Sequence, residues 1–410
     1  MPVTSSLLSR RRAMTTGLAA AAVMTAAPIR AQARDTGLAA RLDETIDRAI
    51  ADKAIVGTVV MVVRSGEVAY RRAAGYADRE AGKAMRPDAL FRLASLSKTM
   101  VSAAALALVE QGRLAVTDPV ANWLPDFVPK TGDGTVPVLT VHHLLTHTAG
   151  LSYGFYEPED GPYHRAGVSD GLDLSSLSLE EEMRRIAAAG LAEAPGTRWR
   201  YSIASDVLGA VIARVAGEPL PDAVRRLVTE PLGMIDTGFS VTDPTRLAVP
   251  YADARPAPVR MGEPQLVSFR GLGLIRFSPS RVFDPSQFPS GGVGMVGSAD
   301  DMVRFVEALR TGGRPILRPA TVARMTTNRI GALPVPGLPG WGFGYGCTTL
   351  EDRATAKTPQ SAGTWAFTSA YGHSFFVDPA RQLSVVALTN TALEGGFGAF
   401  VPAIRNAVYG

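Results

Sequence analysis

Apolar residues recur along this chain with two periods, and the change from one to the other marks the elements. Leu38, Leu42, Ile46 and Ile50 fall four apart, a slowly drifting helical face that predicts an amphipathic helix over 38–52. The unbroken β-branched run Thr58-Val59-Val60-Met61-Val62-Val63-Arg64, then Ser65-Gly66 and Glu67-Val68-Ala69-Tyr70-Arg71, reads as strand, tight turn and strand. A long apolar helix opens at Ser95 and runs through Glu110, ending at Gly112. Further helices are predicted over Leu179 to Ala189, Ala204 to Val215 and Pro221 to Thr229, and strands near 343–349, 363–370, 373–378 and 383–390. The Pro/Gly/Arg-rich run from Asp253 to Pro289 has no period and reads as a long loop at a pocket rim.

The apolar helix carries the first candidate chemistry. Ser95 and Lys98 stand three apart, on one face and about one turn from each other, among Leu93, Ala94, Leu96, Met100 and Val101. A serine hydroxyl attacks only if it hands its proton to a base, and a lysine is that base only if desolvation or a nearby cation lowers its pKa from about 10.4. Of the chain's five lysines only Lys98 has a serine three residues before it. The spacing alone also fits a plain helix start, with Ser95 as N-cap and Lys98 extended to solvent.

Composition changes the picture mainly by subtraction. Residues 1–33 combine Arg10-Arg11-Arg12, a short apolar run from Gly17 to Ala27, and Ala31-Gln32-Ala33, the pattern of a twin-arginine export leader cleaved near Ala33. Eleven apolar residues are too few to span a bilayer, which needs about 20. The formal net charge is +4, and the leader holds four of the 42 basic residues and no acid, so the remainder is balanced at 38 against 38. No basic excess is left to argue for nucleic acid or an anionic membrane surface. The 377 residues from Arg34 to Gly410 suffice for one large domain, expected in the periplasm or secreted. The only cysteine, Cys347, excludes an internal disulfide and lies far from the cleavage site, so no lipid anchor is available.

His142, His143 and His147 invite a metal reading, but no carboxylate or cysteine is placed to complete a site. They read instead as polar packing residues in a helix ending at Gly150. Neither a metal nor an organic cofactor is expected.

Ser95-x-x-Lys98, Leu114 to Pro125, and Leu144-Leu145-Thr146-His147-Thr148-Ala149-Gly150-Leu151 resemble successive signatures of the penicillin-recognising serine hydrolases. Pro195-Gly196-Thr197-x-Trp199-x-Tyr201-Ser202, Ser290-Gly291-Gly292-Val293-Gly294-Met295 and Gly340-Trp341-Gly342-Phe343-Gly344-Tyr345-Gly346 match too. The chain is most similar to class C β-lactamases and family VIII carboxylesterases. That resemblance implies an α+β, β-lactamase/transpeptidase-like fold over 34–410: an antiparallel sheet flanked by terminal helices, with a mostly helical region inserted at approximately 100–290. It also implies Ser95 as nucleophile, with Lys98 and Tyr201 passing the proton.

Two departures from the family pattern point to the substrate. Ile203 stands where β-lactamases carry the asparagine of Tyr-x-Asn, and isoleucine cannot hydrogen-bond a substrate amide. The literal Lys130-Thr131-Gly132 lies too early for the third motif; counting back from Tyr371-Gly372-His373 places Phe367-Thr368-Ser369 there, without the lysine that binds an antibiotic's carboxylate. The resemblance then assigns the oxyanion hole to the backbone amides of Ser95 and of Ala370 or Ser369. Tyr153, Ile203, Trp365, Phe367, Thr368 and His373 are expected at the substrate, although the aromatics are equally readable as core and His373 as a strand histidine.

These features lead to a serine carboxylesterase for small or medium acyl esters. A β-lactamase, D-amino-acid peptidase or transacylase uses the same groups, and a non-catalytic cell-wall-peptide-binding protein could share the scaffold. No Gly-x-Ser-x-Gly elbow is present.

Overall fold

The run from Val59 to Val63 is apolar at every position because the strand it forms is covered on both sides. In the computed structural model, which describes residues 36–269 and 273–410, it is the strand Gly57–Arg64 of an eight-stranded antiparallel sheet. The sheet runs, edge to edge, Trp341–Phe343, Thr348–Leu350, Trp365–Ser369, His373–Asp378, Leu383–Thr389, Gly57–Arg64, Glu67–Asp78 and Lys83–Ala84. Thr58 pairs with Thr389 and Arg64 with Leu383, so the C-terminal strands close directly on the N-terminal hairpin. The export leader lies outside the described residues.

Alternation along each strand divides the core in two. Val60, Val62, Phe376 and Val385 face the helices Thr36–Ala51 and Phe400–Tyr409, meeting Leu42, Ile46 and Ile404. Val59, Met61, Phe375 and Val386 face the helical region and join a larger core built round the helix Ser97–Glu110. Helices Leu179–Ala189 and Ala204–Ala216 fall where periodicity puts them. The 253–289 stretch departs from expectation: it folds into two small hairpins, Tyr251–Ala252 with Val259–Arg260 and Gln265–Phe269 with Gly273–Phe277. Two-residue strands and a hairpin with one exposed face carry too little pattern to register as strands. The longer helices therefore end near Thr229, and only the 3₁₀ turns Pro244–Arg246 and Pro279–Phe283 follow before 290.

The histidine segment departs too. Its helix is only Val141–Leu145, and His147 already sits at φ +55°, so the chain turns out of the helix before Gly150. His143 does local work, closing a capping box with Thr140. The segment after it lies alongside 192–203, joined by Ala192 N–H to Gly150 O, Gly196 N–H to Thr148 O, Arg200 N–H to His147 O and Ile203 N–H to Ser152 O, at 2.8–3.1 Å. This ladder between two irregular segments fixes Tyr153 and Tyr201 relative to each other.

Gly372 closes the turn between strands Trp365–Ser369 and His373–Asp378 at φ +96°, and a Cβ there would lie 2.0 Å from the Thr391 carbonyl. Gly372→Ala is expected to cost about 1–3 kcal/mol, read as a lower urea midpoint at unchanged slope; an unmoved midpoint would show that the turn is not strained as described.

Candidate active site

Ser95 does not cap the long helix. It is the middle residue of a single 3₁₀ turn, Ala94–Leu96, and the α-helix begins at Ser97 with no side-chain cap. Ala94 has φ +42°, a backbone conformation that costs a non-glycine residue of order 1–3 kcal/mol and persists only where its surroundings impose it. The surroundings are visible. Strand Leu90–Arg92 pairs with Val296–Ser298, Leu93 N–H bonds Met295 O at 2.8 Å, and Ser369 Oγ donates to Leu93 O at 2.8 Å. The buried Arg92 guanidinium spans the carbonyls of Pro279 and Ala248.

Held this way, Ser95 Oγ accepts a hydrogen bond from the Tyr201 phenol at 2.7 Å, across 106 positions of sequence. Lys98 is fully buried and does not reach solvent. Its Nζ donates to Tyr153 Oη and to the Gly292 carbonyl, both at 2.9 Å, and stands 4.7 Å from the centre of the Tyr201 ring. Among the described residues it makes no hydrogen bond to Ser95 itself. Burial pushes the Lys98 amine down to about 7, against the opposing pull of the Asp206 and Asp170 carboxylates. Burial raises the Tyr201 phenol, so Tyr201 rests protonated beside the serine.

The oxyanion position resolves between the two amides proposed. Ser369 sits inside the strand ladder opposite His373 with its side chain turned to Leu93, and does not line the cavity. Ala370, one step past that last pair, does line it. The Ser95 amide, second in its 3₁₀ turn, has no acceptor within the turn. Of the three residues expected at the oxyanion position, Ser95 and Ala370 border the cavity and Ser369 does not.

Ser95 opens on a cavity of about 1040 Å³ walled largely by aromatic and aliphatic side chains. Tyr153, Phe367 and Thr368 line it as expected, and Phe269 and Ile275 reach it from the second hairpin. Three expected residues do not. Ile203 is wholly buried at the start of helix Ala204–Ala216, its side chain in the core, so it neither meets nor repels a substrate. Trp365 packs edge-on against Phe375 at 5.7 Å, beneath the cavity floor. His373 is a strut: burial pushes it down to about 4, and the neutral ring donates from Nε2 to Arg92 O at 2.8 Å, under the serine turn. Lys130-Thr131-Gly132 lies in a surface loop away from the cavity.

Several supporting residues had no signal in local sequence. His147 Nδ1 accepts the Ser202 amide at 3.3 Å and its ring lies 5.1 Å from Tyr201, which locates the phenol. Tyr153 was read only as pocket lining, yet it is a direct partner of Lys98. Among the described residues no group of three or more His, Cys, Asp or Glu side chains is arranged to hold a metal ion.

Residues 42–407 match the family model described as Beta-lactamase. The chain is 52% identical over 375 residues to esterase EstB of Burkholderia gladioli, covering 91% of this chain and 95% of that one. It is 32% identical over 361 residues to protein Rv1367c of Mycobacterium tuberculosis, covering 81% and 85%. The solved structure of EstCE1, a hydrolase with promiscuous acyltransferase activity, superposes with a TM-score of 0.88 at 47% identity, covering 91% and 99%. The chain belongs to the β-lactamase family.

With Lys98 near 7, labelling of Ser95 by a fluorophosphonate is expected to accelerate as pH rises through about 7, where the ammonium loses its proton. A rate constant flat between pH 5.5 and 8.5 would remove Lys98 as the base.

Proposed function

We propose that this member of the β-lactamase family is a serine carboxylesterase that works through an acyl-enzyme on Ser95. The observation that carries the reading is the contact of the Tyr201 phenol with Ser95 Oγ beside an amine buried deeply enough to titrate near neutrality. The names of its relatives support the substrate class: one is an esterase and another a hydrolase with acyltransferase activity. A lysine is missing from the Phe367-Thr368-Ser369 strand, so the cation that engages a β-lactam's carboxylate is absent from that place.

The reaction follows from the geometry. The ester carbonyl oxygen enters between the Ser95 and Ala370 amides while Oγ attacks the carbonyl carbon. The serine proton passes to Tyr201 as the phenol proton passes to neutral Lys98, whose Nζ stands 4.7 Å from the Tyr201 ring centre and turns from Tyr153 to the Tyr201 oxygen for the transfer. Collapse of the tetrahedral intermediate breaks the ester C–O bond, and the leaving alkoxide takes a proton back through Tyr201. Water then attacks the acyl-enzyme by the same path in reverse. Lys98→Ala and Tyr201→Phe are each expected to lower kcat at least about a hundredfold.

The deciding assay sets p-nitrophenyl acetate, butyrate and longer esters beside a chromogenic cephalosporin, with Ser95→Ala as control. Ester turnover that exceeds cephalosporin turnover and vanishes in Ser95→Ala supports the esterase. Cephalosporin turnover outrunning the esters would replace it with a β-lactamase, and failure of Ser95 to label would leave a binding protein. The Arg10-Arg11-Arg12 leader supports export of the chain; N-terminal sequencing of the protein recovered from the periplasm is expected to begin near Arg34, and retention of Met1 would exclude cleavage.

A further inference from the structure

Lys98 is held by acceptors on two elements, but the charge it carries when protonated faces a third. Asp206 lies in the first turn of helix Ala204–Ala216, five residues after Tyr201, and is 1% exposed. Its Oδ1 accepts from Ser290 Oγ at 2.5 Å and from Gly292 N–H at 3.4 Å. Its Oδ2 is buried and has no hydrogen-bond partner among the described residues. An unbonded carboxylate oxygen in the interior is costly, and it persists where a nearby cation offsets the charge.

Gly292 shows where that oxygen points. A Cβ on Gly292 would sit 2.6 Å from Asp206 Oδ2, 3.0 Å from Tyr153 Oη and 3.2 Å from Lys98 Nζ. Carboxylate, phenol and amine thus converge on one spot, kept open by the absence of a side chain. Any residue but glycine would drive a methyl between the two charges. The same glycine presents its carbonyl to Lys98 and its amide to Asp206.

We propose that Asp206 is the positioning residue of Lys98, holding its charge through Oδ2 and its place through the Ser290–Gly294 turn that Oδ1 fixes. This rests on the esterase reading for its role in turnover, not for its effect on the lysine. The other groups facing Lys98 are Tyr153, Tyr201, His147 and Asp170. His147 is kept neutral by burial and by Lys98 itself, so it supplies no compensating charge. Asp206 faces, besides Lys98, Arg281, Glu182, Asp170 and the two phenols. Arg281 is engaged with the Phe288 carbonyl, and burial pushes Glu182 up to about 8 and Asp170 up to about 7, so both acids are substantially protonated near neutrality. Burial raises Asp206 as well, but the Lys98 charge and the hydrogen bonds from Ser290 and Gly292 pull it back down, and of the two carboxylates that act on Lys98 it acts more strongly than Asp170.

The sign follows. Removing a negative charge beside an ammonium makes it easier to deprotonate. Asp206→Asn keeps an oxygen for Ser290 and Gly292 but removes the anion. The pH dependence of Ser95 labelling by a fluorophosphonate, measured on the full chain, is expected to move its acidic limb down by at least about one pH unit. The plateau rate is expected to fall at least about tenfold, because a weaker base takes the serine proton less readily. Ser290→Ala, which leaves the anion in place, is expected to keep the limb where it is.

A limb unmoved in folded Asp206→Asn overturns the proposal, as does an equal shift in Ser290→Ala. Should Asp206→Asn fail to fold, Gly292→Ala, which wedges a methyl between the same charges, must shift the limb downward, and an unshifted limb there overturns it equally. The readout needs no ester: absence of p-nitrophenyl ester turnover in the parent would sink the esterase reading while the labelling profile still decides the role of Asp206.

Discussion

A protonated amine in a protein interior is among the least tolerated groups, and the burial of Lys98 imposes conditions on everything around it. The helix that carries it is buried along nearly its whole length, so the amine is desolvated and its proton affinity falls to the range in which a base operates at neutral pH. The surrounding structure then has to satisfy Nζ in both protonation states. It does so with a phenol oxygen and a carbonyl oxygen, acceptors that cost little when the amine is neutral, and with two carboxylates, Asp206 ahead of Asp170, that act through space. A direct ion pair at this position would hold the lysine charged and unreactive.

The nucleophile depends on a second imposed arrangement. Ala94 is held in a conformation alanine avoids, by hydrogen bonds from strand 296–298, from the 369–373 turn and from the Arg92 guanidinium. The groups that anchor residues 92 and 93 lie between 156 and 276 residues away in sequence, so the turn depends on contacts with both the helical region and the sheet. Catalytic geometry and completion of the fold are the same event here, as expected where strain is stored at a functional site.

How much of this was readable in advance follows from the range of each interaction. Ser95 and Lys98 lie three residues apart across the junction of a 3₁₀ turn and the helix it leads into, so spacing and apolar surroundings sufficed. Tyr201 needed a motif, because no local pattern distinguishes it from a packing tyrosine. Ile203, Trp365 and His373 were assigned by adjacency to motif residues, and adjacency fails wherever neighbours face different ways: Ile203 enters a buried helix, and Trp365 sits deeper than Phe367 on the same strand face. Asp206, Gly292 and His147 act through contacts spanning fifty to two hundred residues. The central strands of the sheet were legible because they are largely apolar runs of six to eight residues; the small hairpins of 251–277 were not.

The cavity walls have a different origin from its floor. Phe269 and Ile275 come from a surface hairpin, Pro334 and Leu338 from an irregular loop, and Phe397 from a four-residue helix, none of which touches the lysine. There is accordingly a division of labour between a charge-handling interior that tolerates almost no change and a modular rim that bears on which molecule is admitted. Lineages descending from such an architecture can exchange one clientele for another by lengthening, shortening or re-facing three peripheral segments, with the proton circuitry inherited intact.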